Sequence, residues 1–388
     1  MGARASSGHR AGRRGMAALM GELESGRRVV VRELGESPME ALEAHVALET
    51  QPPPDPAALA EDDVIVAVKA SGVNWVDLIM TSGQYQHVPE PPYTPGLEYA
   101  GEVAWVGPAV SGLAIGDRVM ADGLLTGPRS LGAHRRWGGW ASWAVAPAKA
   151  LLPLPEALSF DQGATVLGAY ETAYHALVFR GRLQAGESVL IVGASGTTGL
   201  AAVHVAKALD ATVIATGRRA EKLEVVKAEG ADHVIATADG EGGVRRFRDE
   251  VKELTGGRGV DVVHDGVGGK LTYESLRSAR FGARYLIVGW AATPFVAKGK
   301  GGRGAPNANV IPTNLIMMKG LDVLGCPAAI TAHKDPSIRA ERLAAIRRWL
   351  EEGAVRPLVS ASWPLEEVHE AMRAKWKSAY PGAITVRP

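Results

Sequence analysis

The chain has 388 residues, and its 43 Lys plus Arg stand against 42 Asp plus Glu for a formal net charge of +1. That balance argues against a dedicated nucleic-acid or polyanion binder, which would carry a basic excess. With 46% hydrophobic and 22% charged residues the composition is that of a globular chain of two domains. No apolar run reaches the roughly 20 residues needed to cross a bilayer. The single cysteine, Cys326, excludes an intrachain disulfide framework and any cysteine-rich zinc module. It points to a reducing, cytoplasmic compartment.

Residues 1–15 (MGARASSGHRAGRRG) are rich in Arg, Gly and Ser and contain no acid. They lack the apolar core of a secretory signal, and have little to bury as the amphipathic helix of a transit peptide. They read as a disordered N-terminal tail or an over-extended start, with Met16 as the alternative first residue. From residue 28 to about 155 short β-rich runs are broken by Pro and Gly. Residues 64–68 (VIVAV), 100–106 and 141–146 read as strands.

Beyond residue 155 strands and helices alternate. Strands are expected at 188–192, 212–216, 233–235, 260–264, 285–288 and 321–325, and helices at 197–209, 221–229, 244–254 and 271–279. Nearly continuous Val/Ile strands between helices are the signature of a parallel sheet covered on both faces. An amphipathic helix over 338–352 and a polar tail ending in GAITVRP close the chain, and that ending could return as a strand to the first domain. The expected division is a β-rich domain at 16–155 plus 327–388, enclosing a dinucleotide-binding domain at 156–326.

The 188–192 strand runs directly into Gly193-Ala194-Ser195-Gly196-Thr197-Thr198-Gly199 and then a helix. A tight turn at the strand end lets backbone approach a pyrophosphate, and the helix directs its free N–H groups at that anion. Glycine spacing alone is weak, but the strand before it and the helix after it give it the right setting. At the end of the next strand stand Thr216, Gly217, Arg218 and Arg219, followed by Lys222. An NAD site usually carries Asp or Glu there. An Arg pair and a Lys suit a ribose 2′-phosphate, so NADP(H) is the expected cofactor. The alternative is a solvated basic helix start.

The order of blocks ASGVNWVDLIMTSGQY (70–85), PYTPGLEYAGEV (92–103), GDRVM (116–120), GGWASWAV (138–145), the glycine-rich turn, VDVVHDGVGG (260–269) and NLIMMKGLDVLG (314–325) resembles the medium-chain dehydrogenase/reductase superfamily. Within it the chain is similar to the zinc-independent quinone oxidoreductase branch, from about residue 28 onward. The resemblance implies an α/β fold: a Rossmann-like doubly wound parallel sheet domain plus a β-rich GroES-like catalytic domain. It also implies a homodimer with a small-molecule substrate. Zinc-dependent members carry Cys where this chain has Asn74 and Gly-His-Glu where it has Gly96-Leu97-Glu98. Asn is a poor zinc ligand and Leu cannot be one, so no metal is expected.

The same resemblance implies which residues line the cleft. Asn74, Asp77 and Tyr85 are the catalytic candidates: Asn74 an amide near the nicotinamide, Asp77 a carboxylate that fixes loop backbone or else abstracts a proton, and Tyr85 either a proton donor or a packed ring. Thr172, Val288, Gly289 and Asn314 match cofactor-lining positions. His264 and Asp265 resemble a structural strand end. Trp137, Trp140 and Trp143 read as core aromatics, or as a wall for a planar substrate. Lys298, Lys300 and Arg303 lie in a basic loop (297–309) that is either solvated or meets an anionic part of the substrate. The expected reaction is NADPH-dependent hydride transfer to a quinone or to the C=C of an enone, enal or enoyl thioester. The alternative is an NADPH-binding module with little turnover.

Overall fold

The computed structural model describes residues 23–85, 87–241, 243–293 and 309–388. The N-terminal tail, and the basic segment with Lys298, Lys300 and Arg303, lie outside the described residues.

A two-stranded antiparallel sheet comes first, β1 (Gly26–Val31) with β2 (Val46–Gln51). It is followed by β3 (Asp63–Gly72), β4 (Tyr99–Val106), β5 (Arg118–Ala121), β6 (Trp143–Pro147) and β7 (Leu151–Pro153). A parallel layer then contains β8 (Ser188–Val192), β9 (Thr212–Gly217), β10 (His233–Ala236), β11 (Val260–Asp265), β12 (Ala279–Ile287) and β13 (Asp322–Gly325). Last come β14 (Val359–Pro364) and β15 (Ala383–Arg387). The parallel sheet has the order β10-β9-β8-β11-β12-β13. The other large sheet has the order β14-β15-β3-β4-β5-β7, with β6 also paired to β3. β15 therefore joins the sheet of β3, antiparallel, through Thr385 with Gly72 and Val386 with Ser71.

The physical cause of the parallel sheet is visible in β8, SVLIV, which is buried along its whole length between β9 and β11. Val189, Leu190 and Ile191 are fully buried, and each removes about 1.5–3 kcal/mol of apolar exposure. A buried charge network ties the halves of the chain together. Arg339 pairs with Glu171 at 2.6 Å and with Asp122 at 2.7 Å, and Arg342 reaches Glu171 at 3.3 Å.

Two local expectations need correction. The helix expected from residue 244 starts only at Arg248, because Val244 forms a bridge with Ala238 and Arg245 donates its N–H to the Thr237 carbonyl. The stretch read as a polar tail contains β14 and a helix, Val368–Trp376. Val368, Ala371 and Met372 of that helix are buried in a core shared with Val29, Leu78 and Trp140.

Trp140 is fully buried and donates its indole N–H to the Gly72 carbonyl at 2.9 Å. Trp137 and Trp143 are half-buried and pack against Ile65, Trp105 and Val145. All three tryptophans serve packing.

Candidate functional site

The antiparallel register of β3 and β4 builds the first half of the site. Ser71 pairs with Tyr99, so the residues leaving β3 lie beside those entering β4. Asn74 follows β3 and Glu98 precedes β4, and the Asn74 amide donates to Glu98 Oε2 at 3.1 Å. Glu98 Oε1 also accepts from the Gly168 backbone N–H. Asp77, in the helix Trp75–Met80, turns back on the loop. Its Oδ2 accepts from Asn74 N at 2.9 Å, and its Oδ1 from Gly96 N at 3.1 Å and Leu97 N at 3.0 Å. Gly96 has a φ of +98° and a Cβ there would lie 2.6 Å from Trp140 N, so only glycine fits this turn.

Both carboxyls are buried and carry raised pKa values. Burial pushes Asp77 up to about 7 against the pull of its three backbone N–H donors. Burial likewise raises Glu98, opposed by Arg129, the Gly168 N–H and Asn74. Asp77 thus fixes the loop backbone. Tyr85 is half-buried, with its ring edge-on to His87 at 6.2 Å. Its hydroxyl makes no hydrogen bond among the described residues.

The second half is the turn after β8. Gly193 has a φ of +75°, and the N–H groups of Gly193 and Ala194 donate to the Thr216 carbonyl at 3.1 and 2.9 Å. A Cβ on Gly199 would meet Gly193 O at 2.3 Å, which keeps helix Thr197–Ala208 tight on the turn. At the exposed Gly196, by contrast, a Cβ would meet only Gly193 O at 3.6 Å. The turn therefore has a tight base and an open top where backbone can approach a phosphate, and the cradle fits a dinucleotide pyrophosphate. Ser195 and Thr198 are half-buried on it.

Gly217 is buried at the end of β9, and Arg218 and Arg219 beside it are exposed. Lys222 is buried and donates to the Ser378 carbonyl, which Arg219 also reaches at 3.4 Å. Burial, with Arg219 and Arg218 adding repulsion, lowers the Lys222 pKa to about 8. Val288 and Gly289 donate their N–H groups to the Asp265 carbonyl, placing them at the same end of the sheet as Gly193. Thr172 Oγ1 donates to the Gly168 carbonyl at 2.7 Å, next to the Glu98 contact. Asn314 is exposed on the helix Thr313–Lys319 and no hydrogen bond joins it to this group among the described residues.

Asp265 accepts from Tyr285 OH, Thr272 Oγ1 and two backbone N–H groups. His264 beside it is fully enclosed, and burial lowers its pKa to about 4. Both residues support the strand end.

Sequence reasoning missed the C-terminal contribution. Lys375, on the helix Val368–Trp376, donates to Thr197 Oγ1 at 2.8 Å. Thr197 in turn donates to the Gly382 carbonyl at 2.8 Å, and Gly382 N donates to Ser195 O at 2.9 Å. The segment leading into β15 therefore lies across the glycine-rich turn. Burial lowers the Lys375 pKa to about 8, with Asp77 and Glu98 opposing and Lys222 adding to the shift. One Lys among the basic residues Arg373, Lys375 and Lys377 has no local signature of this position.

A separate cavity of about 470 Å³ is lined by Ser159, Asp161, Arg356, Ser362 and Arg387. Its Asp161 is already committed to Arg387 and Thr385 at 2.7 and 2.6 Å. Among the described residues no group of three or more His, Cys, Asp or Glu side chains is placed to hold a metal ion.

Residues 60–156 match the family model described as alcohol dehydrogenase GroES-like domain, and residues 197–332 match that described as zinc-binding dehydrogenase. The Mus musculus protein named quinone oxidoreductase-like protein 2 is 32% identical over 317 residues, covering 81% of this chain and 82% of its own. Among solved structures, a probable oxidoreductase from Mycobacterium abscessus is 29% identical with a TM-score of 0.75, covering 94% of this chain and 99% of that one. An Escherichia coli quinone oxidoreductase, solved in complex with NADPH, is 26% identical with a TM-score of 0.73, covering 93% and 100%. With this sequence likeness resting on the same two-domain fold, a GroES-like domain and a Rossmann-like parallel sheet, the chain belongs to the medium-chain dehydrogenase/reductase superfamily, in its quinone oxidoreductase-like branch.

Proposed function

We propose that the protein is an NADPH-dependent reductase that transfers hydride, without zinc, to a quinone or to the C=C of an α,β-unsaturated carbonyl. The chain is an oxidoreductase that binds NADP(H), as the complexed Escherichia coli neighbour does. Bound NADPH supplies the hydride. Gly193–Gly199, Thr197 and Lys375 take the pyrophosphate, and Arg218, Arg219 and Lys222 take the 2′-phosphate. Val288, Gly289 and Thr172 border the nicotinamide end, and Asn314 contributes from its exposed helix.

One observation carries the zinc-free reading: the Asn74 amide is committed to Glu98, and Leu97 has no donor atom. Neither position supplies a first-row metal ligand of the usual His, Cys or carboxylate type. Without a metal to stabilise an alkoxide, reduction of a conjugated acceptor is the natural direction. Asn74 positions the acceptor, Asp77 holds the Gly96–Leu97 loop, and Tyr85 or water supplies the proton.

The test is NADPH oxidation with 1,4-benzoquinone, a 2-enal, a cyclic enone and crotonyl-CoA, with NADH as control and the protein's zinc content measured beforehand. Turnover on at least one acceptor by zinc-free protein, faster with NADPH, is expected. Binding of NADPH without any turnover would instead support a binding module.

A further inference from the structure

Among the described residues, several arginines beside the β3–β4 half of the cleft are paired. Arg339 and Arg342 bond Glu171, Asp122 and His175, and Arg135 donates to the Val88 carbonyl at 2.6 Å. Arg129, half-buried in the loop between β5 and β6, makes no hydrogen bond and no ion pair through its guanidinium among the described residues. Its Nε is buried without a partner.

Its Nη2 lies beside Gly123, where a Cβ would stand 3.4 Å from it and 2.2 Å from the Leu97 carbonyl oxygen. Burial disfavours its charge, but Tyr85, Glu98, Glu171 and Asp122 around it outweigh that and keep it charged. A guanidinium withdrawn from water with its donors unused is costly unless an anion completes it.

The surroundings support such a ligand. His87 and His333 stand edge-on with ring centres 5.1 Å apart, and His87 continues to Tyr85. Both Nε2 atoms are buried without partners. Burial and the neighbouring Arg135 and Arg129 hold His87 below the usual imidazole range. Burial, His87 and Arg129 do the same for His333. Neutral imidazoles can each donate or accept one hydrogen bond without adding charge.

Resting on the reductase reading above, we infer that Arg129 holds the substrate's carbonyl or quinone oxygen as it becomes negative, with His87, His333 and Tyr85 as the wall beside it. Hydride from NADPH adds to the β-carbon, and the C=C electron pair moves through the conjugated system onto that oxygen. The guanidinium fork stabilises the oxyanion. A proton delivered to the α-carbon by Tyr85 or water then restores the carbonyl, leaving NADP⁺ and the saturated product. For a quinone, hydride and one proton together complete the hydroquinone, again leaving NADP⁺.

The experiment uses full-length protein with R129A and R129K, and the best acceptor from the screen. R129A is expected to lose about 100- to 1000-fold in kcat while NADPH binding, read by nucleotide fluorescence, is unchanged. Free guanidinium ion at low millimolar concentration should restore part of the R129A rate, and R129K should retain an intermediate rate. Wild-type kcat in either variant overturns the assignment. So does an effect confined to KM, which would mark a carboxylate-binding arginine. Absence of guanidinium rescue in folded, NADPH-binding R129A also overturns it. If wild-type protein turns over no acceptor, the reductase reading fails instead.

Discussion

The Lys375 ammonium donates a 2.8 Å hydrogen bond to the Thr197 hydroxyl, so a helix near the C-terminus touches the first residue of the dinucleotide helix. The two residues are separated by 178 positions. Around them Asp77 and Glu98 pull on Lys375 from the β3–β4 side, and Lys222 repels it from the β9 side. Lys375 is thus the point where the two halves of the cleft meet.

This position predicts a pH dependence of cofactor binding. Burial lowers the Lys375 pKa to about 8, so its positive charge is lost as the pH rises through that value. A bound phosphate favours the charged form, and binding above pH 8 must therefore take up a proton. The NADPH dissociation constant should rise by up to roughly tenfold per pH unit above 8. K375M should bind more weakly at pH 7 and show a shallower rise, the remainder belonging to Lys222. A titration of nucleotide fluorescence from pH 6.5 to 9.5 measures both.

Cofactor choice should reside at the end of β9. Lys222 is buried with its ammonium on the Ser378 carbonyl, and Arg219 reaches the same oxygen. A 2′-phosphate offers both cations a charged acceptor in place of that neutral one. Charge-assisted hydrogen bonds of this type contribute about 1.5–3 kcal/mol each. K222M and R219M should therefore lower the NADPH-over-NADH preference in kcat/KM by roughly 10- to 100-fold. Equal losses with both nucleotides would place the 2′-phosphate elsewhere.

Asp77 should matter for the fold before it matters for chemistry. D77A leaves the N–H groups of Asn74, Gly96 and Leu97 without their acceptor, at about 1–3 kcal/mol for each one that stays buried. D77N keeps one oxygen and should lose less. Because burial raises this carboxyl from 3.8 to about 7, the fold favours its neutral form. The stability from that preference is complete below pH 3.8 and is lost as the pH rises through about 7. Urea unfolding at pH 5, 6, 7 and 8 should show this decline in the wild type and its absence in D77N.

The outer edge of β13 has no neighbour among the described strands. Met317 and Met318, shortly before it in the chain, are 75% and 65% exposed, and Phe281, whose ring would lie 3.3 Å from a Cβ on Gly320, is 75% exposed. An open strand edge beside apolar side chains suits pairing with a second copy. We expect a homodimer by light scattering, and a monomer from the double variant M317K/M318E that retains NADPH binding. A wild-type monomer at micromolar concentration would refute the assignment.

Much of the architecture was legible where short-range forces decide it. The β8 strand, the Gly193–Gly199 turn and the helix behind it were expected almost residue for residue, because continuous Val/Ile burial and glycine sterics are local properties. β1, β2 and the helix Val368–Trp376 were not. The last reads as polar by composition, and its buried face becomes evident only when Val368, Ala371 and Met372 meet Leu78 and Trp140, and Trp376 stacks on Trp75 at 5.1 Å.

The candidate site divides the same way. The sequence by itself determined the residue chemistry: one cysteine, Asn74 and Leu97 at positions unsuited to a metal, and Arg218, Arg219 and Lys222 clustered in an otherwise neutral chain. Only the tertiary structure decided that Lys375 bonds Thr197, that Gly382 lies across the glycine-rich turn, and that the Nε of Arg129 is buried without a partner among the described residues. Residue type sets what a group can donate, accept or carry as charge. Which groups meet depends on contacts between distant parts of the chain, and these have no periodic or local trace in the sequence.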